Sequence, residues 1–293
     1  MEQRFLFRLL VGSFILVLIC LMFFVTISWI VREQYALRFN ATTLVLGNSH
    51  PECAIDDENF PSIKNLARSA EPLYYTKYKL KWLLNWNPQI KAVYVELSEN
   101  QLESRMKDWI WSADHMPRQT VSLFPFLSLE HHYKGFCERH FHYIGDLFLA
   151  AKRLISGVFL QNEKAFFEHL DWGGFKSHEG SHFNTSKVES IGQCQEELIP
   201  NQDNLDAIMD IQRMGLESGV KIIFIRCPYH LDAPSNFEKS FQYFFQIHPE
   251  LKLIDYRYFP LDDSCFFDIH HLNRKGAGIF TSQLMRDINQ GVN

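Results

Sequence analysis

The 293-residue chain is 46% hydrophobic and 15% aromatic, enough for a sizeable core and too apolar for a disordered protein. Its formal net charge of -5 argues against a nucleic-acid partner. The basic residues Lys134, Arg139, Lys152 and Arg153 are spread among apolar ones and read as a solvated helix face.

From Leu9 to Val31 no residue is charged. A helix of that length spans roughly 34 Å at about 1.5 Å per residue, enough for a bilayer core. The expected organisation is a cytoplasmic tail over residues 1–8, a transmembrane anchor over 9–31, a stalk over 32–41 and a domain over 42–293. Arg4 and Arg8 precede the span, while Arg32, Glu33 and Arg38 follow it, a balance that mildly favours a cytoplasmic N-terminus. The chain then reads as a single-pass membrane protein with its domain in the bacterial periplasm or at the cell surface. A cleaved signal peptide is the rival reading, but the apolar run is long for one and no small-x-small site precedes Arg32. Of the six cysteines, Cys20 lies in the span and the others are widely spaced without a CxxC pair, so most are expected as small buried hydrophobes. Asn40-Ala41-Thr42 and Asn184-Thr185-Ser186 match the glycosylation acceptor pattern.

Beyond the stalk an α/β pattern begins. Short apolar runs at Thr42 to Leu46, Ile63 to Ala67, Ala92 to Leu97, Val220 to Arg226 and Leu251 to Tyr256 read as about five strands. Between them, Glu71 to Trp86 and Asp203 to Ser218 have helical spacing, the first through Leu73, Tyr74, Leu80 and Leu84, the second through Leu205, Ile208, Met209 and Gln212. Gly219 reads as the C-cap of the second. A last helix is expected from Asn273, with Ile279, Phe280, Leu284 and Ile288 on one stripe. Residues 104–200 break the pattern and read as an insertion rich in aromatic and histidine residues, with a helix over Gly145 to Phe159. No HExxH or comparable ligand pattern occurs there, so neither metal nor cofactor is expected. Its aromatic residues read as packed or interfacial, and its helical segments as a cap over the sheet edge that selects substrate, since aromatic side chains over a cleft suit the apolar faces of sugar rings. Strands alternating with helices imply a three-layer α/β/α, flavodoxin-like fold around a parallel sheet.

In such a sheet a ligand site lies beyond the carboxyl ends of the strands. Gly47-Asn48-Ser49 follows the first strand, and Asp268-Ile269-His270-His271 lies between the fifth strand and the final helix. A carboxylate and an imidazole so placed form half of a catalytic device, and a hydroxyl after the first strand supplies a nucleophile. Either motif alone is common as a turn or cap; their order and strand context raise the joint reading. His50, beside Ser49, is expected to rim the cleft rather than act as base.

The two motifs resemble those of the SGNH, or GDSL, hydrolases, which place a nucleophilic Ser in a Gly-Asp/Asn-Ser turn after the first strand and Asp-x-x-His before the last helix. The resemblance covers most of residues 42–293 in order. It implies Ser49 as nucleophile, His271 rather than His270 as base, and Asp268 as its orienter. It further implies an oxyanion hole from the backbone N–H of Ser49, from Ala70 where the family has Gly, and from Asn100. Membrane-anchored relatives outside the cytoplasm handle O-acyl groups, mostly acetyl, on envelope polysaccharides, often beside a membrane-bound protein that delivers the acyl group. The expected partners are thus the lipid bilayer, a carbohydrate or envelope polymer, and such a delivering protein. Transferase, esterase and a non-catalytic polymer-binding scaffold all remain open at this point.

Overall fold

The computed structural model describes residues 41–158, 171–180, 199–234 and 237–291, together with part of the first 30. About half of the anchor expected over 9–31 falls outside these residues, as do most of the stalk, Asn40, and residues 159–170 and 181–198 of the insertion. Among the described residues no helix is long and apolar enough to cross a membrane.

The elements run β1 (Thr43–Leu46), α1 (Ser49–Ala54), β2 (Ile63–Asn65), α2 (Leu73–Trp86), β3 (Ala92–Glu96), α3 (Glu99–Leu102), α4 (Met106–Trp111), α5 (Met116–Leu123), α6 (Leu129–Arg139), α7 (Phe141–Val158), α8 (Gln202–Ser218), β4 (Lys221–Arg226), α9 (Glu238–Ile247), β5 (Leu253–Asp255) and α10 (Arg274–Asn289). All five strands are parallel, in the order β2-β1-β3-β4-β5. That is the flavodoxin-like winding, in which β1 is flanked on both sides and the switch in strand order opens a crevice at its carboxyl end.

Period-two alternation in the strands feeds two cores. Leu44, Leu46, Val93, Val95, Ile222 and Phe224 face one way, onto residues of α2, α8 and α9. Val45, Tyr94, Ile223 and Ile225 face the other, onto α1 and α10. The central strands β1, β3 and β4 are apolar on both faces because each face is covered, which makes them readable as continuous apolar runs.

Helix ends follow their caps. Asn201 accepts from the Asn204 N–H at the start of α8, which ends at Gly219 with φ 66°. Asn273 accepts from the Gly276 N–H and opens α10. The buried stripe of α8 is Asn204, Ala207, Ile208, Ile211 and Gly215, rotated from the expected one, leaving Met209 exposed. The cause is Asn204, which is buried to receive the Tyr74 N–H at 2.9 Å and to donate to the Gln101 carbonyl at 2.7 Å. In α10 Ile279 likewise lies outside the buried stripe formed by Phe280 and Leu284. Of the cysteines, Cys53, Cys227 and Cys265 are buried and free, while Cys137 is exposed.

Gly276 is held against the loop ahead of α10, where a Cβ would lie 2.2 Å from the Cys265 carbonyl oxygen. Gly276→Ala is expected to cost about 2 kcal/mol, read in thermal unfolding as a fall in Tm of about 4–8 °C. An unchanged Tm would mean that this turn yields freely.

Of the two readings of the insertion's aromatic residues, packing accounts for several of those described. Trp111, Phe126, His131, Tyr143 and Trp172 are buried and pack as core. Tyr74 and Tyr75 of α2 present aromatic faces to His131, which stacks on Trp111 with ring centroids 5.6 Å apart. These rings have a sheet-covering helix to pack against, so most of them do not cap the cleft. Trp109 and His178 do border it.

Candidate active site

A cavity of about 620 Å³ opens at the carboxyl edge of the sheet, bordered by Ser49, Ala70, Asn100, Asp268 and His271. The five residues expected from sequence thus share one cleft.

Ser49 is positioned by a turn that only glycine can begin. Gly47 has φ 136°, and a Cβ there would lie 2.5 Å from the Glu96 Cβ, so the end of β1 passes too close to the end of β3 for any side chain. The Asn48 side chain then accepts from the His50 N–H at 2.9 Å, capping α1. Ser49 becomes the first residue of that helix, where its own N–H has no intrahelical acceptor.

His271 and Asp268 come from a loop that folds on itself. Asp268 Oδ1 accepts from the backbone N–H groups of His270 at 2.8 Å and His271 at 2.9 Å. Both Asp268 oxygens lie 3.0 Å from His271 Nδ1, and His271 Nε2 lies 2.9 Å from Ser49 Oγ. With the Nδ1 proton donated to the carboxylate, Nε2 is left to accept the hydroxyl proton of Ser49. Burial alone would raise the Asp268 carboxyl pKa. The hydrogen bonds from the His271 ring and from the two N–H groups reverse that and lower it to about 2. The adjacent His270 does not border the cleft, and burial, helped by His50 and His271, lowers it to about 4. The Cys53 thiol also reaches the cleft, but burial, with Glu52 next, pushes it up to about 12, too high for a nucleophilic thiolate at neutral pH.

Ala70 takes φ 61°, the left-handed region that favours glycine. The alanine therefore adopts the backbone conformation that a glycine would, and its N–H has no hydrogen-bond partner among the described residues. Its loop is clamped from below by a buried network. Arg68 Nε donates to Glu71 at 3.1 Å, Lys79 Nζ donates to Glu71 at 2.9 Å and to the Leu66 carbonyl at 2.7 Å, and Gln119 donates to the Ala70 carbonyl. Strain in a left-handed alanine is about 1–2 kcal/mol, and replacing it by glycine raises unfolded-state entropy by about 0.4–1 kcal/mol. The strain is the larger by roughly 1 kcal/mol, so Ala70→Gly is expected to leave Tm unmoved or raise it by about 2–4 °C and to retain the site's reactivity. A marked fall in Tm would mean that the methyl group, not the backbone, is what this position supplies.

Asn100 stands on α3. Ser98 donates its hydroxyl proton to Asn100 Oδ1 at 2.5 Å, which leaves the amide NH2 end as a donor.

One part of the wall was not read from sequence as a unit. Glu96, the last residue of β3, is fully buried, and its Oε1 lies 3.1 Å from His50 Nδ1. Tyr229 Oη lies 2.8 Å from the same nitrogen. The signal available was a carboxylate ending an otherwise apolar strand, but its partner is 46 residues away in sequence.

The fold and the site define an α/β protein with a doubly wound parallel sheet and a Ser-His-Asp constellation at its carboxyl edge. Comparison of the chain with family models, curated proteins and solved structures finds no match in any of the three.

Proposed function

We propose that the chain is an SGNH-type serine acyltransferase, held in the membrane by residues 9–31, that moves an O-acyl group, of which acetyl is the simplest, to or from an extracytoplasmic carbohydrate or envelope polymer. The observation that carries this reading is the unbroken line from Ser49 Oγ to His271 Nε2 at 2.9 Å and from His271 Nδ1 to Asp268 at 3.0 Å.

Ser49 Oγ attacks the ester carbonyl as His271 Nε2 takes its proton. The carbonyl oxygen becomes an oxyanion, for which the N–H groups of Ser49 and Ala70 and the Asn100 amide are the available donors. Collapse of the tetrahedral intermediate breaks the bond to the alcohol oxygen, which leaves with the proton from His271. An acyl-Ser49 ester remains. A second alcohol, or water, then repeats the sequence in reverse with His271 as base. Transfer and hydrolysis differ only in that second nucleophile.

The test uses the full chain in detergent micelles. A fluorophosphonate probe is expected to label Ser49, and p-nitrophenyl acetate to release nitrophenol in a burst. Addition of an oligosaccharide acceptor is expected to divert acetyl groups from water to sugar. Turnover indifferent to acceptor would assign the chain as an esterase. A folded chain that takes no label at Ser49 would instead support a polymer-binding scaffold.

A further inference from the structure

The acyl-serine reading uses one imidazole, yet a second lies against the same cleft with a built support that the mechanism leaves idle. His50 borders the cavity, and its ring centroid is 5.6 Å from that of His271. Its Nδ1 is turned into the protein, 3.1 Å from Glu96 Oε1 and 2.8 Å from Tyr229 Oη. Glu96 is 0% exposed and Tyr229 6% exposed, and neither borders the cavity. The ring edge left to the cleft is therefore the one that carries Nε2.

The support is costly for stability. Glu96 Oε2 is buried without any hydrogen-bond partner among the described residues, and a buried carboxylate half unsatisfied is unfavourable. The one side-chain bond Glu96 makes among the described residues is to His50, so what the carboxylate delivers is an imidazole of fixed orientation. An Nδ1–H donated to a carboxylate also fixes the tautomer of a neutral ring and leaves Nε2 as a hydrogen-bond acceptor facing the cleft. Tyr229 extends the support, its buried hydroxyl meeting the same Nδ1 from a second side.

We propose that His50 is a specificity-determining residue for the alcohol side of the ester, its Nε2 accepting a hydrogen bond from a free hydroxyl neighbouring the esterified oxygen. The proposal rests on the acyl-serine reading. The leaving alcohol must lie against His271, which returns its proton, and His50 is the imidazole beside His271, so it meets the alcohol rather than the acyl group. A carbohydrate offers a hydroxyl on the adjacent carbon, whereas a simple alkyl ester offers none. A site built around a hydrogen bond to a substrate hydroxyl discriminates against the analogue that lacks it, because the polar group on the protein is left unpaired.

Two small esters isolate the term. Glycerol monoacetate and propyl acetate have the same three-carbon chain, but only the first carries free hydroxyls. Turnover by the full chain in micelles is measured per Ser49 titrated with fluorophosphonate, so that any misfolded fraction drops out. Wild type is expected to favour glycerol monoacetate in kcat/KM by about tenfold or more, and the double variant H50F/E96Q to cut that ratio by about tenfold or more. Glu96 is changed with His50 so that no unpaired buried charge remains. In H50Q/E96Q an amide oxygen stands near the place of Nε2, and the preference is expected to return in part. A preference in H50F/E96Q equal to that of wild type, whatever its value, overturns the proposal. So does a Gln variant as indiscriminate as the Phe one, since the effect is then packing. If wild type takes no label, this inference falls with the acyl-serine reading. If wild type is labelled but its preference ignores His50, this inference falls alone.

Discussion

His271→Ala is expected to abolish fluorophosphonate labelling of Ser49, while His270→Ala retains it at a similar rate. The two residues are neighbours in one loop, yet the His271 ring alone reaches both Ser49 and Asp268. Without it the hydroxyl has no base to accept its proton, and loss of the base in a Ser-His-Asp site costs up to about 10⁶-fold in rate. His270 contributes its backbone N–H to Asp268 Oδ1, a bond that alanine preserves. Its ring is half-buried beside His50 and His271 and does not border the cleft. Labelling followed by gel fluorescence and peptide mapping reads the outcome. Loss of labelling in His270→Ala with retention in His271→Ala would place the wrong imidazole against Ser49 and would overturn the base assignment.

That doublet shows what was legible and what was not. The spacing Asp-x-x-His separates His271 from His270 because a three-residue turn lets one carboxylate accept two successive N–H groups and still meet the second ring. Local geometry of that kind is written in local sequence. The central strands were legible for a related reason: residues such as Val93, Tyr94 and Val95 are apolar in unbroken succession because both faces of the sheet are covered there. What sequence does not carry is which distant residues meet. The rotation of α8 depends on Asn204 answering Tyr74 and Gln101, and the aromatic insertion packs inward because Tyr74 and Tyr75 wait for it. Glu96 and His50 each look ordinary in place, and only the closeness of β1 and β3 at Gly47 makes them a pair. Ala70 is an intermediate case. Its position after β2 pointed to it, but an alanine there looked like a departure until its φ of 61° showed a glycine's backbone.

Asp268→Asn is expected to leave the loop folded and to lower the rate of Ser49 acylation by about 10⁴-fold. The two backbone N–H groups of His270 and His271 require an acceptor at the Oδ1 position, so the asparagine oxygen is held there and its NH2 group takes the place of Oδ2. That NH2 donates to His271 Nδ1, which must then be the unprotonated nitrogen. The ring proton moves to Nε2, and the nitrogen facing Ser49 becomes a donor where an acceptor is needed. The same substitution has a separate signature in stability. The folded Asp268 carboxyl is lowered from 3.8 to about 2. Its ionised form therefore contributes stability that is fully present above about pH 5 and is lost as pH falls from about 4 towards 2. Asparagine does not titrate, so the Tm values of wild type and variant are expected to differ most at neutral pH and to converge below about pH 3. The side chain is partly exposed, which keeps this difference small beside the kinetic one. A large kinetic loss with converging Tm curves identifies the carboxylate as the group that sets the tautomer. A kinetic loss matched by a pH-independent fall in Tm would reduce Asp268 to a structural part of the loop.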